Sequence, residues 1–126
     1  AFTEGALRGQ GKVELYLPWD YYERGWINSL AGNVDVICNV DQDYGAKDSV
    51  LKYHPAPGRL SRGVFNLHAR NFQILRNTGL VICWSKGSGG TEQGLRIARD
   101  MGIKIYNLYH KDVLDTFLGR LSVLGI

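Results

Sequence analysis

The stretch Leu80-Val81-Ile82-Cys83-Trp84-Ser85-Lys86-Gly87-Ser88-Gly89-Gly90-Thr91 decides the fold. Its first five residues are an unbroken apolar run, the signature of a parallel strand buried on both faces. Three glycines in four positions follow, and then an amphipathic segment from Thr91 to Met101 that places Leu95, Ile97, Ala98 and Met101 at helical spacing. Strand, glycine loop and helix in that order form half of a βαβ unit, and Ile103 to Leu108 supplies its second strand.

Outward from this unit the chain keeps alternating. Residues 2 to 8 read as a helix stopped at Gly9 and Gly11, and Lys12 to Leu17 as a strand that ends at Pro18. Residues 19 to 42 have no clean period and read as an irregular excursion with a short strand at Val34 to Asn39. Asp41 or Asp43 caps a helix through Ser49 to Tyr53, and His54-Pro55-Ala56-Pro57-Gly58 breaks it. From Ser61, the apolar residues Val64, Leu67, Ile74 and Leu75, with Phe65 and Phe72 flanking, fit a helix of about four turns that ends near Asn77 to Gly79. Asp112 to Leu118 forms a last short one. The expected fold is therefore α/β, a Rossmann-like three-layer sandwich with a mostly parallel sheet, built as one domain over residues 1 to 126.

Composition excludes several classes. With 44% hydrophobic and 21% charged residues the chain is neither disordered nor of membrane type. Its apolar runs are far shorter than the roughly 20 residues of a membrane span. Ala1 to Ala6 lacks a basic region followed by an apolar stretch, which predicts no secretory signal and, with Cys38 and Cys83 far apart, a reduced, cytoplasmic protein. No Cys/His/carboxylate cluster has metal-ligand spacing, so neither metal nor cofactor is expected. A net charge of +3 is compatible with nucleotide or nucleic-acid partners without requiring them.

The chemistry concentrates in Lys86, Gly87, Ser88, Gly89, Gly90 and Thr91. Glycines without Cβ atoms let backbone N–H groups turn toward an anion, and the helix behind them adds its positive end. Thr91 caps that helix or donates its hydroxyl, and Lys86 adds a full charge. The pattern is neither a P-loop nor the dinucleotide Gly-x-Gly-x-x-Gly fingerprint. A second group is Arg59, Arg62, His68, Arg70 and Asn71. One of the last two faces inward and needs a partner, which a ligand phosphate or the glycine loop would supply; Arg59 and Arg62 read equally as a solvated basic face. Trp19 is a core aromatic or a base-stacking platform, and Trp84 is placed to wall the ligand site. For turnover only Glu92 and Asp100 offer themselves as general bases, both weakly. Binding is better supported than catalysis.

Taken together, Leu17-Pro18-Trp19, His54-Pro55, Arg59-Leu60-Ser61-Arg62-Gly63, Leu67-His68-Ala69-Arg70-Asn71, and Val81 through Thr91 with Gln93 and Leu95-Arg96-Ile97-Ala98 resemble phage- and prophage-encoded members of the SLOG superfamily. This Rossmann-like superfamily includes the DNA-processing protein DprA and the LOG phosphoribohydrolases. The resemblance implies a nucleotide or single-stranded DNA phosphate at the glycine loop with Arg70-Asn71 beside it. The LOG loop reads Gly-Gly-x-Gly-Thr-x-x-Glu with a catalytic glutamate, and counted from Gly90-Thr91 that position is Gly94. LOG-like hydrolysis of a nucleotide-derived small molecule is accordingly the second reading. Relatives also carry a first strand and a glycine- and aspartate-rich loop ahead of the first helix. The resemblance thus implies an incomplete sheet, completed by a partner chain or within a homo-oligomer, and a third reading as a phage structural or assembly component.

Overall fold

The computed structural model describes residues 2–125. Its elements run α1 (Phe2–Arg8), β1 (Lys12–Tyr16), α2 (Arg24–Ser29), β2 (Asn33–Ile37), α3 (Tyr44–Tyr53), α4 (Arg62–Leu75), β3 (Leu80–Cys83), α5 (Gly90–Asp100), β4 (Lys104–Asn107) and α6 (Lys111–Val123), with single 3-10 turns at Val40–Gln42 and Pro57–Arg59. The architecture is α/β and Rossmann-like, with every strand pairing parallel.

The strands form two separate two-stranded sheets. β1 pairs with β2 in the register Lys12 to Asn33 through Tyr16 to Ile37, and β3 with β4 from Leu80 to Lys104 through Cys83 to Asn107. The expected α/β sandwich with parallel strands is present but incomplete, its strands divided between two small sheets. The reading of β3 as fully buried is corrected: Leu80 and Ile82 are 43% and 38% exposed, and only Cys83 is buried.

Local chemistry accounts for the helix ends. The Asp43 side chain accepts from Ala46 N at 3.0 Å and starts α3. Ser61 accepts from Val64 N at 3.3 Å and starts α4. At the end of α1 the left-handed residue is Gln10 (φ 62°), which lets Gly11 N reach Ala6 O at 2.8 Å. The region read as irregular contains α2, and α6 runs five residues past its expected end at Leu118. That short α2 has no side-chain cap and only Ile27 buried, so no strong pattern announces it.

The core has two parts joined by Phe72. Val40, Ala46, Val50 and Ala69 pack with Leu60, Phe65 and Phe72 between α3 and α4. Leu75, Ile97 and Ala98 pack with Phe72, Val81, Ile103 and Ile105 where α4 and α5 meet the second sheet. Helix α4 therefore links the two halves, touching α3, α5 and β1.

Candidate phosphate-binding site

The glycine loop leaves β3 at Cys83 and enters α5 at Gly90. Gly87 and Gly89 have φ of 101° and 86°, and Gly89 pairs its φ with ψ −167°, a region open only to glycine. Nothing lies within 4 Å of where a Cβ would stand on Gly87, Gly89 or Gly90. Conformation, rather than crowding, demands glycine here, and the space in front of the loop is free.

A buried brace holds the loop. Ser85 is 3% exposed; its N–H donates to Asn107 Oδ1 at 3.0 Å, and its carbonyl accepts from Asn107 Nδ2 at 2.9 Å. The Ser85 hydroxyl accepts from Gly87 N at 3.2 Å and donates to Glu92 Oε2 at 3.2 Å. One asparagine at the end of β4 thus grips the loop's first residue by both backbone groups, and the serine passes that order on to Gly87. Sequence reading missed Asn107 and Ser85. Their only signal is an asparagine ending a strand, whose meaning depends on the β3–β4 register that sets Cys83 opposite Asn107.

Glu92 belongs to the brace. Its Oε1 accepts from Arg99 Nη1 at 3.0 Å, and the Arg99 hydrogen bond, followed by the charges of Arg99 and Arg96 and the Ser85 hydroxyl, holds the carboxyl below its ordinary range despite some burial. A carboxylate so held is a poor proton acceptor near neutral pH. Asp100 lies at the far end of α5, tied to Lys52 and to the Tyr53 hydroxyl. Its candidacy as a base near the loop is corrected by position. Burial raises the Cys83 thiol, so it is not an activated nucleophile.

Beside the loop a cleft of about 590 Å³ runs along α4, with Gly90, Thr91 and Gly94 on one wall and His68, Arg70 and Asn71 on the other. The structure therefore brings the Arg70-Asn71 pair and the start of α5 to one cavity. The partners differ from those expected: Asn71 Nδ2 donates to the Gln93 side chain at 3.2 Å, and Arg70 Nη1 donates to Tyr16 O at 3.1 Å. Arg70 also lies over the Tyr22 ring, 5.6 Å from its centroid. Its Nε, His68 Nδ1 and Gln93 Nε2 are buried without a partner among the described residues. His68 stands 5.0 Å from the His54 ring.

The remaining candidates disperse. Lys86 and Ser88 are exposed on the loop, and Thr91 follows at the helix start. Trp84 is 56% exposed and stands edge-on to Tyr109 at 5.6 Å, next to the loop but outside the cleft lining. Trp19 packs against Gly63 and edge-on to Tyr22, by the start of α4 and not at the glycine loop. Arg62 pairs with Asp41 at 3.2 Å, and Arg59 is exposed in the Pro57–Arg59 turn, so both belong to the solvated face. No cluster of three metal-ligating side chains occurs among the described residues, and no described helix is long and apolar enough to cross a membrane. No protein-family model, curated protein or solved structure matches the chain.

Proposed function

We propose that the chain binds the phosphate of a nucleotide, free or within single-stranded DNA, at the Lys86 to Thr91 loop, in the manner that its resemblance to the SLOG superfamily implies. The observation that carries this reading is the loop itself: two glycines in left-handed conformations, held by the Ser85–Asn107 brace, with open space before them and the N-terminus of an eleven-residue helix behind. Lys86 supplies mobile positive charge at the mouth. Arg70, on the cleft wall, spends one of its five N–H groups on Tyr16 O, and its buried Nε has no partner among the described residues.

The residues favour binding over turnover. Gly94, which lines the cleft, carries no side chain where a LOG-like enzyme has its glutamate, and Glu92 is occupied by Arg99 and Ser85. We place the protein, on this reading, in the cytoplasm with nucleotide or single-stranded DNA as its partner.

Fluorescence anisotropy of a labelled oligothymidylate, with adenosine monophosphate as competitor, tests the site. Binding should weaken as salt rises, and should weaken at least tenfold in Gly89→Ala. Saturable binding that is indifferent to both Gly89→Ala and Lys86→Ala would place the ligand elsewhere. Release of free base from the monophosphate would replace the binding reading by the hydrolytic one.

A further inference from the structure

Two large aromatic rings stand uncovered beside the glycine loop. Exposure alternates along β3 and past its end: Leu80, Ile82 and Trp84 are exposed, while Val81 packs against Leu75, Ile97 and Ala98, and Cys83 and Ser85 are buried. By that alternation Trp84 belongs to the face of the sheet turned away from α4 and α5. Tyr109 arrives from the neighbouring strand. Cys83 and Asn107 are partners in the β3–β4 register, so the chain leaves both strands at one edge of the sheet. Trp84 is 56% exposed and Tyr109 43%, and their rings meet at 83° with centroids 5.6 Å apart. An edge-on pair spends at most one ring face on its own contact, which leaves flat aromatic surface for a third ring.

The asparagine that holds the loop also holds this pair. Asn107 Oδ1 accepts from Ser85 N at 3.0 Å and from Tyr109 N at 3.2 Å, and Leu108 N donates to Cys83 O at 2.9 Å. One side chain therefore sets where Tyr109 stands relative to the start of the loop. On the other strand only Ser85 and Lys86 separate Trp84 from Gly87. Single exposed apolar residues are ordinary on a protein surface. Two large rings braced together next to a cradle of backbone N–H groups are a binding surface of a particular kind, flat and apolar with an anion site at its margin.

We propose that Trp84 and Tyr109 form a stacking platform for an unpaired nucleobase whose phosphate rests on the Lys86 to Thr91 loop, so that the site takes single-stranded and not duplex nucleic acid. The proposal rests on the phosphate reading of the loop and adds a second subsite to it, on the face of the sheet away from the α4 cleft. Stacking uses the flat face that every base has, so the platform tolerates base identity. Bases inside a duplex have both faces covered by their neighbours and are closed to it.

The test compares, by anisotropy, oligothymidylate with an abasic oligodeoxynucleotide of equal length, which keeps the phosphates and lacks the bases. The base-bearing strand should bind at least about fivefold tighter, the low end of what one stacked base contributes. A duplex at equal phosphate concentration should compete less well than the single strand. Trp84→Ala and Tyr109→Ala should each bring the ratio of the two affinities toward one. Trp84→Phe keeps a flat ring and should keep most of the ratio, while losing the share of tryptophan quenching that the bound base produces; it separates loss of stacking from loss of fold. Equal affinity for the two strands, with both weakened by Gly89→Ala, overturns the platform and leaves the phosphate reading standing. So does a ratio that survives in both alanine variants, or a duplex that competes as well as the single strand. Failure of either strand to bind overturns the phosphate reading and the platform together.

Discussion

The two faces of α4 are both apolar but differ in how far they are covered. Its face toward α3 packs Phe65, Ala69 and Phe72 and buries Asn66 and Gln73 beside them, while its face toward the cleft leaves Val64 and Ile74 exposed and buries only Leu75. The buried polar side chains are satisfied in part by the chain that wraps them. Gln73 Nε2 donates to Asn39 Oδ1 at 2.8 Å and to Asp43 Oδ2 at 2.9 Å, and Asn66 Nδ2 donates to Pro18 O and Asp41 Oδ1. Arg76 Nη2 closes the network on Asp43 Oδ2. Burial of these polar groups follows their partners.

Breaking the packed side should cost far more than breaking the open side. Ile97 is fully buried at the junction of α4, α5 and the second sheet, and Ile97→Ala should cost about 2–5 kcal/mol. Ile74→Ala, on the open side of α4, should stay within about 0.5 kcal/mol. Urea unfolding of both variants checks the difference. Equal losses would mean that the cleft is filled in solution.

The polar network predicts an acid response of intermediate size. Burial pushes the Asp43 carboxyl up, but hydrogen bonds from Gln73, Ala46 N and Arg76, with the Arg76 charge, together hold it below its ordinary value. Because its folded pKa is lower than its unfolded one, the stabilisation is complete above the unfolded value near 3.8 and is lost as pH falls through the folded one. Asp43→Asn keeps a capping side chain but removes this titration. Its stability should fall less steeply than that of the wild-type protein below about pH 4, the unperturbed carboxyl range, as urea midpoints across pH 2.5 to 7 would record. Parallel acid limbs would show that Asp43 contributes through the cap alone.

That network also explains what the sequence concealed. The period of Val64, Leu67, Ile74 and Leu75 correctly located α4, but of these only Leu75 is buried. The side chains that hold the buried Asn66 and Gln73, those of Asn39, Asp41 and Asp43, lie in or beside a segment with no periodicity. Strands β1, β3 and β4 and the helix after the glycine loop were legible because alternation, apolar runs and glycines are local signals. The division into two sheets was not, because nothing in Leu80 to Cys83 records whether a neighbour is present. The same contrast holds in the site: three glycines announce the loop, whereas Asn107, which fastens it, acts from 22 residues away.

On the open side the next effect should come from the loop backbone. Gly89→Ala forces a side chain into a φ, ψ region closed to it and should destabilise by about 1–3 kcal/mol, with the binding loss described above. Asn107→Ala removes both bonds to Ser85 and should cost about 1–3 kcal/mol, while leaving the glycines free to adopt their φ values. Thermal unfolding with and without oligothymidylate separates the two. The Asn107 variant should retain weakened binding, because its loop is loosened and not misdirected; complete loss in that variant would make Asn107 a ligand contact.

The smallest effect on stability should accompany a clean effect on binding. Lys86 is exposed and makes no hydrogen bond or ion pair among the described residues, so Lys86→Ala should leave the urea midpoint unchanged. If Lys86 neutralises one phosphate of single-stranded DNA, the slope of log K against log salt should become shallower by about 0.7. A mononucleotide, with no condensed counterions to release, should show the affinity loss with little change of slope. The slope thus distinguishes a site that takes one phosphate from one that follows a strand. A slope identical to that of the unaltered protein, with affinity also unchanged, would remove Lys86 from the site and leave recognition to the backbone N–H groups between Gly87 and Thr91.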